Sequence, residues 1–140
     1  MILFINTSKT NLIQLKLILN NKVIDQLESH EEFRQSELLL SMIDKIFKKN
    51  KVRLPSLKYL AIVTGPGAFS ALRLGIATAN AMAWALNIPI IELNSDEASL
   101  GDKELVKLIA RKSKLTKSFK QAVPKYGKEP NITTPKVKRN

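Results

Sequence analysis

LKYLAIVTGPGAFSALRLGIATANAMAWALNIPIIEL, Leu57 to Leu93, is the stretch that decides the architecture. Pro55 and Ser56 break the chain before it. Leu57 to Thr64 then reads as a buried strand carrying Leu60, Ile62 and Val63, and Gly65-Pro66-Gly67 turns the chain into a long helix, Phe69 to Asn87. A second short strand, Ile88 to Leu93, follows at once. A strand, a helix and a strand in that order make a crossover unit, whose two strands pair in parallel.

Upstream lie three strand-like runs, Ile2 to Asn6, Leu12 to Leu19 and Lys22 to Leu27. Asn20-Asn21 separates the last two, and asparagine tolerates the positive φ of a tight hairpin, so the three runs read as an antiparallel meander. Leu15, Leu17 and Leu19 share one face of the second run, which needs a helix to cover it. The spacing predicts that helix over Glu31 to Lys49, with Ser29 as N-cap, acids in the first turn and Lys45, Lys48 and Lys49 in the last, as the macrodipole favours. The predicted class is therefore α/β, a mixed sheet in the order β-β-β-α-β-α-β.

Phe33, Leu38, Leu39, Leu40, Met42, Ile43, Ile46 and Phe47 spread around roughly 220° of the first helix, about twice what one sheet covers. Half of that arc is expected to lack a partner within the chain. On the second helix Ala71, Gly75, Thr78 and Ala79 share a face with Met82 and Leu86, small residues that let another helix press close. Both sets mark a helix-docking interface.

The net charge of +11 is unevenly placed. Residues 1–100 hold 11 Lys/Arg against 9 Asp/Glu, whereas residues 101–140 hold 12 against 3. After a polar turn at Asn94-Ser95-Asp96, a helix is expected from Asp102 to Arg111, then a Lys-rich segment broken by Pro124, Pro130 and Pro135, extended or disordered over its last dozen or so residues. The expected organisation is a lobe over 1–100, an appended helix over 101–123 and a basic tail over 124–140. Such a tail gathers phosphates or serves as a solvated appendage, and composition leaves both open. There is no cysteine and one histidine, so thiolate and histidine metal clusters are excluded. The longest unbroken apolar run, Ala81 to Leu86, is far short of the roughly 20 residues a membrane helix needs, and the first residues lack a cationic region of the secretory kind. No membrane contact and a cytoplasmic location are expected.

Two loops can carry chemistry. Thr64 to Ser70 puts Gly65 and Gly67 at a strand-to-helix junction, where backbone N–H groups hold phosphate or where glycine merely lets the chain turn; no lysine follows Gly67 as it does in a P-loop. Asn6-Thr7-Ser8 ends the first strand, a second place for a phosphate-facing residue, although an amide cannot offer Mg²⁺ an anionic oxygen. Arg73 reads as a phosphate clamp or a surface residue, His30 as a base or an exposed side chain, and Trp84 and Phe47 as stacking platforms or as core and interface. No triad spacing or carboxylate pair supplies an acid–base catalyst.

Ile5-Asn6-Thr7-Ser8, the helix Glu32 to Leu39, and above all Thr64-Gly65-Pro66-Gly67-Ala68-Phe69-Ser70-Ala71-Leu72-Arg73-Leu74-Gly75 resemble the TsaB (YeaZ) family, whose usual form of the last motif is GPGSFTGLRIG. The similarity runs from Met1 to about Leu100, and Val123-Pro124-Lys125-Tyr126 is similar to the family's closing proline and tyrosine. Asn6 stands where the family usually has Asp, and Ala71 where it has Gly. The chain is about 90 residues shorter than the two-lobed family form, so most of a second lobe is expected to be absent.

The resemblance implies an actin-like, RNase H-type lobe that is not itself an enzyme. It implies a scaffold that binds TsaD, the partner holding nucleotide and metal and moving a threonylcarbamoyl group to adenosine 37 of ANN-decoding tRNAs, with TsaE as an accessory ATPase. The expected interface is Phe33, Leu39, Leu40, Met42, Ile43, Ile46 and Phe47 on the first helix and Ala71, Gly75, Thr78, Ala79 and Met82 on the second. A homodimer when alone and tRNA contact through the basic tail are further expectations. No cofactor is required by the chain itself; a nucleotide, if bound, would meet Asn6, Thr7, Gly65, Gly67 and Arg73. The alternatives are an autonomous ATP-using or peptidase-like enzyme and a nucleic-acid module centred on Lys107, Arg111, Lys112, Lys114, Lys117 and Lys120.

Overall fold

The computed structural model describes residues 1–126. Strands β1 (Ile2–Asn6), β2 (Ile13–Leu19) and β3 (Lys22–Ser29) form the meander, with Asn20 and Asn21 at φ +52° and +61° in the hairpin turn. Helix α1 (Gln35–Lys49), strand β4 (Tyr59–Gly65), helix α2 (Phe69–Leu86) and strand β5 (Ile90–Asn94) follow, then a single-turn helix α3 (Ser95–Ala98) and helix α4 (Asp102–Ser113). The sheet order is β3-β2-β1-β4-β5. β1 pairs antiparallel with β2 and parallel with β4, and β4 pairs parallel with β5, so the mixed α/β sheet is as expected.

Alternation along β1 and β4 serves two cores. Leu3, Ile5, Leu60 and Ile62 point to the layer formed by α1 and α2, while Phe4, Ala61 and Val63 point to α4 through Leu105, Val106 and Ile109. α4 is held at both ends. Lys16 of β2, only 5% exposed, lies over the Phe4 ring and pairs with Asp102 at the helix start. At the other end the Lys112 ammonium donates to the Glu92 carbonyl at 2.9 Å and to Glu97 at 3.0 Å.

Local structure departs from the sequence reading in three places. α1 starts at Gln35 rather than Glu31, because β3 runs on through Ser29 and Phe33 takes φ +55° while its N–H donates to the Thr10 carbonyl. The polar turn after β5 is a helical turn closed by a capping box between Asn94 and Glu97. Beyond α4 the chain does not leave the body: residues 114–126 pass the edge of β5 and cross to α2. There the Asn80 side chain takes both backbone groups of Ala122, at 2.8 and 3.0 Å, the Lys125 N–H donates to the Thr64 carbonyl at 2.7 Å, and Tyr126 stacks on Phe69. The rest of the basic tail, with Pro130 and Pro135, lies outside the described residues.

The apolar arc of α1 has more cover than expected. Leu39, Met42, Ile43, Ile46 and Phe47 are all at most 8% exposed, and Ala71, Gly75 and Ala79 of α2 are buried, so these eight proposed interface residues face the core. The reason is that α1 meets two neighbours, the sheet beneath and α2 alongside, and together they span the arc that one sheet cannot. Phe33 (75% exposed) and Leu40 (65%) stay outside it, and Thr78 and Met82 are half-buried.

Burial pushes the Glu97 carboxyl up, but the Asn94 N–H and the Lys112 ammonium outweigh it and hold the carboxyl below the ordinary carboxylate range. A lowered folded-state pKa stabilises above the ordinary value and loses that stabilisation as pH falls through the lowered one, so Glu97→Gln should flatten the acid side of the stability curve in denaturant titrations. An acid limb unchanged in the variant would remove Glu97 from the account. Asn80→Ala should release the crossing segment, giving faster hydrogen exchange at the Ala122 amide and a loss of about 1–2 kcal/mol for two hydrogen bonds. Unaltered exchange there would show that Tyr126 and Lys125 hold it unaided.

Candidate functional site

The C-terminal ends of β1 and β4 meet at the start of α2, and both motif loops are here. Thr7 is fully buried; its hydroxyl donates to the Ala71 carbonyl at 2.8 Å. Asn6 is spent locally, its Oδ1 accepting from the Ser8 N–H at 3.0 Å and its Nδ2 donating to Gln14 at 3.3 Å. The Ala68 N–H donates to the Ser8 carbonyl at 2.8 Å, which ties the first loop to the helix start.

The glycines of the motif are explained by contact. A Cβ on Gly67 would stand 2.3 Å from the Ser8 carbonyl oxygen, and one on Gly75 would stand 2.2 Å from the Thr7 hydroxyl. At Gly65, φ is +124° and a Cβ would meet the Lys125 carbonyl oxygen at 2.0 Å. The five residues read as nucleotide contacts therefore divide. Asn6, Thr7, Gly65 and Gly67 come together, yet the two side chains are engaged with protein groups, and the glycines serve packing against Ser8 and Lys125. Arg73 lies outside on α2 with its guanidinium over the Phe69 ring at 5.3 Å. Among the described residues no three His, Asp or Glu side chains group as metal ligands, and His30 pairs with Glu28 on the surface.

The other candidate surface is the outer side of the helix layer. α2 has 18 residues of which Arg73 alone is charged, and Ala77, Ala81, Trp84 and Ala85 face outward, Trp84 at 73% exposure. Lys49 of α1 reaches Asp25 of β3, and Leu40 stands about 180° around the helix from Lys49, so Leu40 sits on the flank toward α2. Met82, Leu74 and Thr78 lie half-buried on α2. The reading of the sequence missed Ala77, Ala81 and Ala85; the signal for them was the near absence of charge along α2.

A mixed five-stranded sheet with this strand order, two helices on one face and the glycine turn after β4 define an actin-like lobe. A family model described as "TsaD: tRNA N6-adenosine threonylcarbamoyltransferase" matches residues 18–108, and the chain belongs to that family as a YeaZ (TsaB)-like member. The tRNA N6-adenosine threonylcarbamoyltransferase of Protochlamydia amoebophila (strain UWE25) is 35% identical over 61% of this chain and 28% of its own length. The enzyme of the same name from Streptococcus equi subsp. zooepidemicus (strain MGCS10565) is 31% identical over 56% of this chain and 26% of its own. Among solved structures, YeaZ from Pseudomonas aeruginosa superimposes with a TM-score of 0.58 at 25% identity, covering 66% of this chain and 42% of that one. The chain thus spans about a quarter of the curated relatives and less than half of YeaZ.

If Gly75 is needed to admit Thr7, Gly75→Ala should cost about 1–3 kcal/mol by overpacking. Thr7→Ala, which removes the atom at 2.2 Å and leaves Cβ at 3.2 Å, should recover part of that loss, so the double variant should be more stable than the sum of the two single changes predicts. Additive costs in urea unfolding would show that the contact does not set the loop's position.

Proposed function

We propose that the chain is a non-catalytic, TsaB-type subunit of the tRNA threonylcarbamoyladenosine system that binds and stabilises TsaD by packing its helix layer against helices of that partner. The observation that carries this reading is the outward face of α2, three exposed alanines and an exposed tryptophan with Arg73 as the helix's one charge, together with the exposed Leu40 of α1. Small residues let helix axes approach closely, and a large aromatic at the end of the row supplies an anchor, the combination found where helices pack across an interface. The proposed interface differs from the stripe read from the sequence; it keeps the exposed Phe33 and Leu40 with Thr78 and Met82, and takes Ala77, Ala81, Trp84 and Ala85 in place of the core-facing residues.

In this role the chain needs no nucleotide or metal of its own. Its polar groups at the β1 and β4 ends are already engaged with one another, a disposition that favours a rigid lobe over a nucleotide cradle. Nucleotide and metal belong to TsaD, with TsaE as the accessory ATPase and the cytoplasm as the compartment. In the absence of TsaD the same apolar face pairs two copies of the chain. ATP turnover by the isolated chain would instead favour the autonomous-enzyme reading.

Ala81→Arg and Leu40→Glu place charge on exposed positions and should leave the fold intact while weakening association with TsaD by at least about 30-fold, the equivalent of roughly 2 kcal/mol for a central anchor. Size-exclusion co-elution with TsaD, alongside thermal melts of each variant, measures this. Wild-type co-elution of both variants would overturn the docking surface. Ile43→Arg is unsuitable, since Ile43 is 5% exposed and its substitution would unfold the lobe.

A further inference from the structure

α4 buries Leu105, Val106 and Ile109 against the sheet and turns a different chemistry outward. Lys103, Lys107, Arg111 and Lys114 fall within an arc of about 80° and span about 16 Å along the helix axis and its last turn. All four line one open groove of about 520 Å³ between α4 and the Asn21 turn, floored by Val106 and Ala110, and no carboxylate lines it. Of the acids nearby, Asp102 is paired with Lys16 and Glu97 with Lys112, while Glu97 and Glu104 line a neighbouring hollow together with Lys107 and Arg111. Among the described residues none of the four groove cations forms an ion pair.

A second hollow, of about 500 Å³, lies past the end of α4 between the edge of β5 and the crossing segment. Lys112, Lys117, Lys120 and Lys125 line it with the hydroxyls of Thr116 and Ser118, and Glu92 is its one carboxylate. Lys114 lines the first hollow and Leu115 the second, so the two adjoin at the helix end. Across residues 102–126 eight cations stand against two acids; those of α4 lie on the far side of the sheet from the helix layer proposed to dock, while Lys120 and Lys125 belong to the segment that passes the β5 edge toward α2.

We infer that the α4 groove and the adjoining lysine hollow form a track for the phosphate backbone of RNA. The choice of RNA rests on the reading of the chain as part of a tRNA-modifying system; the track itself rests on the groove. Cations recurring each helical turn meet successive phosphates and release their counterions, and the scarcity of aromatic side chains along the groove makes the contact backbone-directed, without stacked bases. Because the α4 groove lies on the face of the sheet opposite α1 and α2, the chain can hold RNA there while docked. The contact read from the sequence as a property of the tail is thereby moved onto the folded body.

The test uses the full chain and bulk tRNA, with the association constant measured between about 50 and 200 mM salt. Four phosphate contacts predict a log–log slope of about −3 to −4, and Lys107→Ala, Arg111→Ala and Lys114→Ala together should flatten it by about 2 to 3 and weaken binding at least tenfold at the low-salt end. A control with Lys9→Ala, Lys45→Ala and Lys58→Ala removes the same charge elsewhere and should keep most of the affinity and slope. The groove is overturned if the two triple variants lose affinity equally, if the groove variant binds as wild type does, or if its changes abolish binding to phosphatidylserine vesicles and leave tRNA binding intact. The groove variant should still co-elute with TsaD, whereas Ala81→Arg should lose TsaD and keep tRNA. That crossed pattern separates failure of the track from failure of the docking reading.

Discussion

A close backbone approach between the β1–β2 loop and the first turns of α2 sets the position of the helix layer. Ala68 and Ala71 bond to Ser8 and Thr7 through one N–H and one carbonyl, and Gly67 and Gly75 remove the two β-carbons that would hold the backbones apart. With α2 lowered to that distance, Leu72, Ile76, Ala79 and Ala83 reach the sheet over β1 and β4, and α1 finds its second neighbour. A helix standing a few tenths of an ångström higher would leave voids under small alanines, which have no longer side chain with which to refill them.

This constraint gives the glycines of a motif that looks like a phosphate loop a packing duty in this chain. The same glycines that expose N–H groups at a helix start also permit a neighbouring loop to occupy the space, and here Ser8 and Lys125 have taken it. The amide of Asn6 turns back on Ser8 and Gln14. A carboxylate at that position would carry a charge into a site 6% exposed with one N–H to meet it, a change that desolvation opposes in the absence of a cation.

The crossover unit, the hairpin at Asn20-Asn21 and the direction of α1 were legible from local chemistry, since glycine turns, paired asparagines and end-sorted charges act within a few residues of themselves. What was not legible was contact at long range. Whether Leu39 or Leu40 faces outward depends on α2 lying alongside α1, and periodicity records the width of an apolar arc without recording how many neighbours share it. The start of α1 failed for a related reason: Phe33 is held at φ +55° by Thr10, 23 residues earlier, and no capping signal within the segment reports that bond. The crossing segment depends on Asn80 meeting Ala122 across 42 residues, which made residues 114–126 look like a plain basic tail.

The two faces of the sheet differ in their outer chemistry because their helices are fastened differently. α1 and α2 are held on their inner sides by apolar packing and by a few hydrogen bonds to the β1–β2 loop, Gln35 to Lys9 and Thr7 to Ala71. Among the described residues no ion pair ties α2 to the sheet beneath it, which leaves the outer side of α2 without a structural duty. α4 is held by ion pairs at its ends, Lys16 with Asp102 and Lys112 with Glu97, and those pairs consume nearby carboxylates that would otherwise neutralise its outer lysines. The acids spent on anchoring the helix thus set the charge of the groove beside it. Removing either ion pair changes both the seat of α4 and the field it projects, so binding of an anion along α4 and the stability of α4 are coupled through the same few side chains.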